Sequence, residues 1–388
     1  MSAGALFHLH DVHGRAVGER DGVAIAEHFG SLRSELACLR GGVGLSDLDH
    51  MARVRVQGEH ALDLLERVCP SDLYLRDGQA RQSLLLHEDG TVRADLLVVR
   101  DDEDFLLLAE GISTAALLAM LRRVQEPSDE AVLLDLSCDH VLIAVNGPFA
   151  WELLSAWESP GIAGVRYLTI AHLDRALCIR AGRTGEFGYL LLVPNTGAAE
   201  VWTGLLDKGR VLDLALVGQQ ALERAALESW FFQIYAEGRA GLDPVELQLQ
   251  WRNTAEHEFV GSEALAGKLA GKLAVGDRRR VTGVCSDSAL ESGAPVFFGE
   301  RCIGELIVTA PATPGPGSIG LALLELPFAE SGVSVYRVPT PAGLRPVRTV
   351  SPPFVDCLSQ WIRPQFHCYS QRQALLDKAG LTWLTGPR

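Results

Sequence analysis

A chain of 388 residues with 47% hydrophobic and 22% charged side chains is an ordinary globular composition, with room for two or three domains. Its formal charge of −14 disfavours a nucleic-acid partner, because phosphate binding needs a basic stripe, and the longest basic run is Arg278, Arg279 and Arg280. No apolar stretch approaches the roughly 18–20 residues of a membrane span and the first residues lack a signal-peptide core, so no membrane contact and a cytoplasmic location are expected.

Taken in order, the chain opens on His8, His10 and His13, with Asp11 as the one further ligand nearby. That set falls short of a coordination sphere, so the segment reads as an exposed or locally bonded arm, with no metal expected. Residues 21–40 carry Val23, Ile25, Ala26, Phe29, Leu32 and Leu36 near a 3.6 period, predicting a helix ended by Gly41 and Gly42. A loop follows, then a strand through Val54 and Val56, a turn at Gly58, and a helix with Ala61, Leu64, Leu65 and Val68 on one face. The eight cysteines (38, 69, 138, 178, 285, 302, 357 and 368) form no CxxC pair and read as reduced thiols.

Residues 78–100 are the most informative stretch. Two β-favouring runs flank Glu88, Asp89 and Gly90, a turn signal, and predict a hairpin. Its second arm places one carboxylate, Asp95, before the unalternating run Leu96, Leu97, Val98 and Val99, which predicts a strand covered on both faces. A charge there costs several kcal/mol unless something pairs with it, so Asp95 is either a site residue or a structural aspartate held by backbone N–H groups. A strand at 104–109 ends on Glu110, an acceptor in a site or a solvated strand end, and a helix runs from Ser113 to Val124.

A buried strand from His140, a turn at Gly147 and Pro148, and a helix to Trp157 come next. In 173–193 two strands flank a glycine-rich connection tipped by Thr184, Gly185 and Glu186; close approach to a flat ligand or a plain hairpin both explain those glycines. A short helix is expected at 197–206, a longer one at 217–232, and another from Ser262 to about Lys272. Short β runs between glycine and proline turns over 281–352 predict a small barrel. The remainder, 353–388, holds a helical piece and reads as a tail that packs on the body or on another subunit.

Four motifs in this order resemble the folate-binding aminomethyltransferase family, the T-proteins of glycine cleavage and their relatives. They are GVGLSDLDHM at 42–51, GQARQSLLLHEDGTVRADLLV at 78–98, RAGRTGEFGYL at 180–190 and VGQQALERAALE at 217–228, and PVRTVSPPFV at 346–355 resembles the end of the family barrel. The resemblance implies an α+β, T-protein-like fold: two α/β subdomains around a central funnel within 1–277, a C-terminal β-barrel over 278–352, and an extension from 353. It implies a tetrahydrofolate-dependent one-carbon transferase that uses 5,10-methylene- or 5-methyltetrahydrofolate and acts on a small N-, O- or S-linked substrate. Asp95 would be the catalytic carboxylate, with Met51, Glu110, Arg180, Arg183, Glu186, Tyr189, Glu228 and Trp251 at the cofactor; Trp251 lines the site wall or is a packed core indole.

Several positions depart from the family pattern. Leu190 stands where relatives carry the glutamate that pairs with the pterin, Ala226 replaces the arginine of RLE, Glu110 an asparagine, and Arg183 a tyrosine. Losing a hydrogen bond to a charged group costs on the order of 1.5–3 kcal/mol, which points to a specialised donor or acceptor. A carrier-protein partner is disfavoured by like-charge repulsion, and the chain is expected as a monomer or homodimer. The alternatives are a folate-independent enzyme using the same funnel, and an iron–sulfur assembly factor, disfavoured because HEFVGSE at 257–263 lacks the KGCxxGQE signature.

Overall fold

Two sheets packed face to face form the centre of the molecule, which is described from a computed structural model covering residues 4–10, 15–271 and 278–385. The first is antiparallel, in the order Ala80–Leu86, Val92–Asp101, Asp104–Glu110, Ala52–Gln57 and Val132–Asp135. The second runs Ile170–His172, Leu177–Ile179, Gly188–Pro194, His140–Asn146, Val43–Asp47 and Leu214–Leu216, with the last strand parallel to its neighbour. Leu97, Val99, Leu106 and Leu108 from the first sheet meet Leu142, Ala144, Ile179, Leu190 and Leu192 from the second. Helices cover the outer faces. Ala61–Glu66 and Thr114–Val124 cover the first sheet, and Ala150–Trp157 and Asn195–Gly209 the second.

Because successive side chains of a strand point to opposite faces, each strand feeds two cores. In Val92–Asp101, Ala94, Leu96 and Val98 face the helices, while Leu97 and Val99 face the other sheet. In Gly188–Pro194, Tyr189, Leu191 and Val193 face the helices, while Leu190 and Leu192 face the first sheet.

Beyond these sheets, six strands from Arg279–Ser286 to Gly343–Val350 close into a barrel, which leaves no open sheet edge there. The architecture is the expected α+β fold with a funnel between the sheets and a C-terminal barrel. The final stretch packs on the body. Leu358, Ile362, Leu375 and Leu376 join the core that holds Phe149 and Trp202.

The predicted helix over 21–40 is half strand. Asp21 (φ 49°) and Gly22 (φ 86°) supply the two left-handed positions of a tight turn between Ala16–Arg20 and Val23–His28. Only Leu32–Gly41 is helical, capped by Ser31, whose hydroxyl accepts the Ser34 N–H at 3.1 Å. The loop predicted after Gly42 contains the strand Val43–Asp47, and of the two later helices Asn195–Gly209 is the longer, because Trp230 at φ 59° stops Gln219–Ser229. Of the N-terminal histidines, His8 is exposed and His10 is buried against Phe29 and Trp202, with Asp47 at 3.4 Å; Asp11 and His13 lie outside the described residues. Among the described residues no helix is long and apolar enough to cross a membrane, and no cluster of three or more His, Cys, Asp or Glu is arranged to hold a metal.

Candidate functional site

Asp95 and Glu110 occupy directly opposed positions on adjacent antiparallel strands. The register follows from the tight connection between Asp101 and Asp104, where Asp102 takes φ 57°. Like charges facing across a ladder destabilise it unless a cation intervenes. Here the cation is Arg183, whose Nη1 pairs closely with Glu110 Oε2 and lies 3.5 Å from Asp95 Oδ2.

A second guanidinium holds the other side of Asp95. Arg252 Nη1 donates to Asp95 Oδ1 at 2.6 Å, and the Arg252 side chain is 3% exposed. It comes from the short turn Gln250–Arg252, where the Trp251 ring lies 4.8 Å from its guanidinium carbon. Glu110 is completed by His50, whose Nε2 sits 3.2 Å from Oε1. A carboxylate only accepts, so Nε2 carries the proton, and the buried Nδ1 has no hydrogen-bond partner among the described residues. Burial works to raise the Glu110 pKa, but Arg183 and His50 outweigh it and hold the carboxyl at about 2.

Asp95, Glu110 and Arg183 line a funnel between the sheets, with about 900 Å³ free of protein atoms when its open mouth is included. Leu48, Met51, Leu97, Leu108, Leu190 and Leu222 make its apolar wall, and Gln82, Asn146, Gln219, Glu223 and Tyr235 add polar atoms. The Tyr235 hydroxyl bonds Asp21 and accepts the Gly111 N–H at 3.3 Å. Behind it, Glu237 is buried; its Oε1 accepts the Gln233 N–H at 2.9 Å and its Oε2 has no hydrogen-bond partner among the described residues. Burial pushes its carboxyl up to about 7, with nearby Asp95 adding and Arg183 opposing.

The loop bearing Arg183 is held at both ends. Gly182 and Gly188 approach so closely that a Cβ on Gly188 would sit 2.7 Å from the Gly182 Cα. Glu186 anchors the tip by accepting the N–H groups of Leu358 and Ser359, at 3.1 and 2.8 Å, and the Ser359 hydroxyl at 2.6 Å.

Of the residues singled out from the sequence, Asp95, Met51, Glu110 and Arg183 line the funnel. The rest do not. Tyr189 faces the helix-side core, since alternation gives the funnel to Leu190. Arg180 turns the same way, stacking over Phe187 and Tyr189 and donating to the Val165 carbonyl. Glu186 and Glu228 flank the buried Arg40, at 3.6 and 2.9 Å, and serve the framework. Trp251 is 55% exposed and is neither a funnel wall nor a core indole; its neighbour Arg252 reaches the site. Glu110 is buried and no solvated strand end. Arg252, His50 and Glu237 are not picked out from the sequence as site residues; the opposed carboxylates call for a cation such as Arg252, but which arginine answers depends on long-range packing.

Residues 6–255 match the family model described as the GCVT N-terminal domain. The chain belongs to this family. Among its GCVT relatives, an aminomethyltransferase of Chloroherpeton thalassium is 32% identical over 270 residues, covering 67% of this chain and 74% of that one. An aminomethyltransferase of Streptomyces avermitilis is 28% identical over 362 residues, covering 90% and 96%. The fold is similar to the crystal structure of glycine cleavage system aminomethyltransferase T from Bartonella henselae, with a TM-score of 0.76 and 23% identity over 91% of this chain and 98% of that one.

Proposed function

We propose that this GCVT-family chain is a tetrahydrofolate-dependent one-carbon transferase acting on a small substrate with a CH2 or CH3 group on nitrogen, sulfur or oxygen. The observation that carries the reading is the Asp95–Glu110 pair, two carboxylates on adjacent strands that open into one funnel inside the family domain. The donor set suits a reduced pterin. Glu110 and the amides of Asn146 and Gln219 offer acceptors and donors to an amino-oxo ring, and the leucine wall covers its face. Leu190 contributes contact area but no hydrogen bond, so recognition of the ring's N–H groups falls to Glu110 and the side-chain oxygens of Asn146 and Gln219.

The chemistry supplied by bound tetrahydrofolate is a ring nitrogen that takes up the one-carbon unit. Asp95, fixed by Arg252, offers a preorganised acceptor beside the reacting centre, and its work is positioning and charge stabilisation. Leu97, Leu108, Leu190 and Leu222 keep water from the reacting atoms. The folate form is 5,10-methylene- or 5-methyltetrahydrofolate, and the other substrate is a small molecule.

Calorimetric titration with tetrahydrofolate and 5,10-methylenetetrahydrofolate, beside Asp95→Asn, tests this. Micromolar binding that weakens in the variant is expected. No binding by a folded wild-type protein refutes the reading.

A further inference from the structure

The arginines beside the funnel are engaged by carboxylates. Arg252 holds Asp95 at 2.6 Å, Arg183 holds Glu110, and Arg20 Nη2 holds Glu223 at 3.0 Å. A short way along the same two strands the balance changes. Gly111 follows Glu110, and Arg93 stands two residues before Asp95; both line a second cavity with Asp21, His87 and Arg239, of about 600 Å³ when its open mouth is included. Ile234 and Tyr235 are the partition, lining the funnel on one side and this cavity on the other.

Two local features bring cations to it. Leu85 pairs with Ala94 but Leu86 with Val92, so the ladder skips Arg93, and the bulge takes that side chain out of the regular alternation. Arg239 comes from the turn Glu237–Ala240, which is tied to the same strand where the Val92 N–H donates to the Leu242 carbonyl at 3.0 Å. Its guanidinium carbon lies 5.1 Å from the centre of the Tyr235 ring. Neither the Arg93 nor the Arg239 guanidinium makes a hydrogen bond or an ion pair among the described residues. The acids nearby are engaged elsewhere. The Tyr235 hydroxyl bonds Asp21, Glu88 pairs with Arg123, Asp89 accepts from Thr91, and Glu237 turns inward to the Gln233 N–H. Two arginines thus face one aspartate in this cavity, a local excess of positive charge in a chain of formal charge −14.

We propose that this cavity is a second binding site, for a free phosphate dianion. Two planar forks, with the His87 imidazole at the rim, supply enough donors to surround a tetrahedral dianion, and a planar monoanion leaves part of them unused. The occupant is separate from the funnel ligand because the partition is pinned. Tyr235 is held by Asp21 and by the Gly111 N–H at 3.3 Å, and the Arg20 guanidinium lies 4.8 Å from its ring. The site does not rest on the transferase reading.

The test is calorimetric titration of the full chain with sodium phosphate in mild alkali, at constant ionic strength set by chloride, beside sodium acetate as the planar monoanion. Arg93→Gln, Arg239→Gln and the double variant accompany the wild type. Both side chains lack internal bonds, so the variants should keep the wild-type circular dichroism, and each single variant is read by itself. Phosphate is expected to bind the wild type with a Kd on the order of 1 mM or tighter, about tenfold weaker in each single variant and about tenfold tighter than acetate. No phosphate binding by the folded wild type, affinity unchanged in the variants, or acetate binding as tightly as phosphate overturns the site. Tetrahydrofolate titrated with and without saturating phosphate locates the anion, and equal affinities are expected. Phosphate that competes with tetrahydrofolate but not with 6-methyltetrahydropterin, which has the ring and no carboxylate tail, assigns the cavity to the tail of the funnel ligand. Competition with both puts the anion in the funnel, and either result overturns a separate site. Failure of tetrahydrofolate to bind at all refutes the transferase reading and leaves the phosphate result standing.

Discussion

Replacing Glu237 by glutamine should make the protein more stable in mild alkali and leave it no better in acid. The residue is 4% exposed, one carboxyl oxygen has no hydrogen-bond partner among the described residues, and burial carries its pKa from 4.5 to about 7. The sign follows from linkage. A carboxyl raised in the folded state is at its most favourable below the unfolded value of 4.5; stability is lost as pH climbs and the loss is complete above about 7. At about 1.4 kcal/mol per tenfold, the full loss is on the order of 3 kcal/mol. Glutamine escapes it. Its NH2 inherits the unpartnered position, which costs about 1 kcal/mol at every pH. Urea unfolding followed by circular dichroism at pH 4 and pH 8.5 should therefore show the variant about 1 kcal/mol less stable in acid and about 2 kcal/mol more stable in alkali. If the difference between variant and wild type is the same at both pH values, Glu237 does not ionise in this range and the reasoning fails.

Three further outcomes are expected. In a double-mutant cycle, Arg252→Met alone should cost about 3–5 kcal/mol of folding stability by stranding Asp95, and much less on an Asp95→Asn background; coupling below about 0.5 kcal/mol would mean the 2.6 Å pair does not hold the carboxylate. Gly188→Ala places a methyl group 2.9 Å from Asn146 Oδ1 as well as against Gly182, so it should displace the Arg183 loop and cost about 1–3 kcal/mol, with ligand affinity falling alongside melting temperature. Leu376→Ala empties a fully buried site between the C-terminal helix and the body and should cost about 2–5 kcal/mol by denaturant unfolding; a cost near zero would show that this helix does not pack there in solution.

How legible the molecule was depends on the range over which each signal acts. The hairpin around Gly90, the helix capped by Ser113 and the barrel strands are short-range features, and pattern and turn chemistry place them correctly. The segment 21–28 misleads because alternating apolar residues also satisfy part of a helical period, and the Asp21–Gly22 turn decides it. Within the site, Asp95 stands out as the carboxylate that opens the apolar run at 96–99, and the tight turn at Asp102 implies that it faces Glu110. Tyr189 illustrates the limit of motif proximity. It adjoins Leu190, yet a strand cannot send neighbours to the same face. Arg252 could not be read at all, since nothing local ties residue 252 to residue 95.

Arg40 and Glu186 set the order in which the site can be completed. Arg40 meets Glu228 and the sulfur of Cys357, and Glu186 is satisfied by backbone and hydroxyl groups of residues 358 and 359. A nascent chain leaves the ribosome from its N-terminus, so the Arg183 loop is made long before the groups that secure it. Glu186 gains three of its hydrogen bonds only once residues 358 and 359 are made, so the Arg183 loop is secured after its own strands and not together with them.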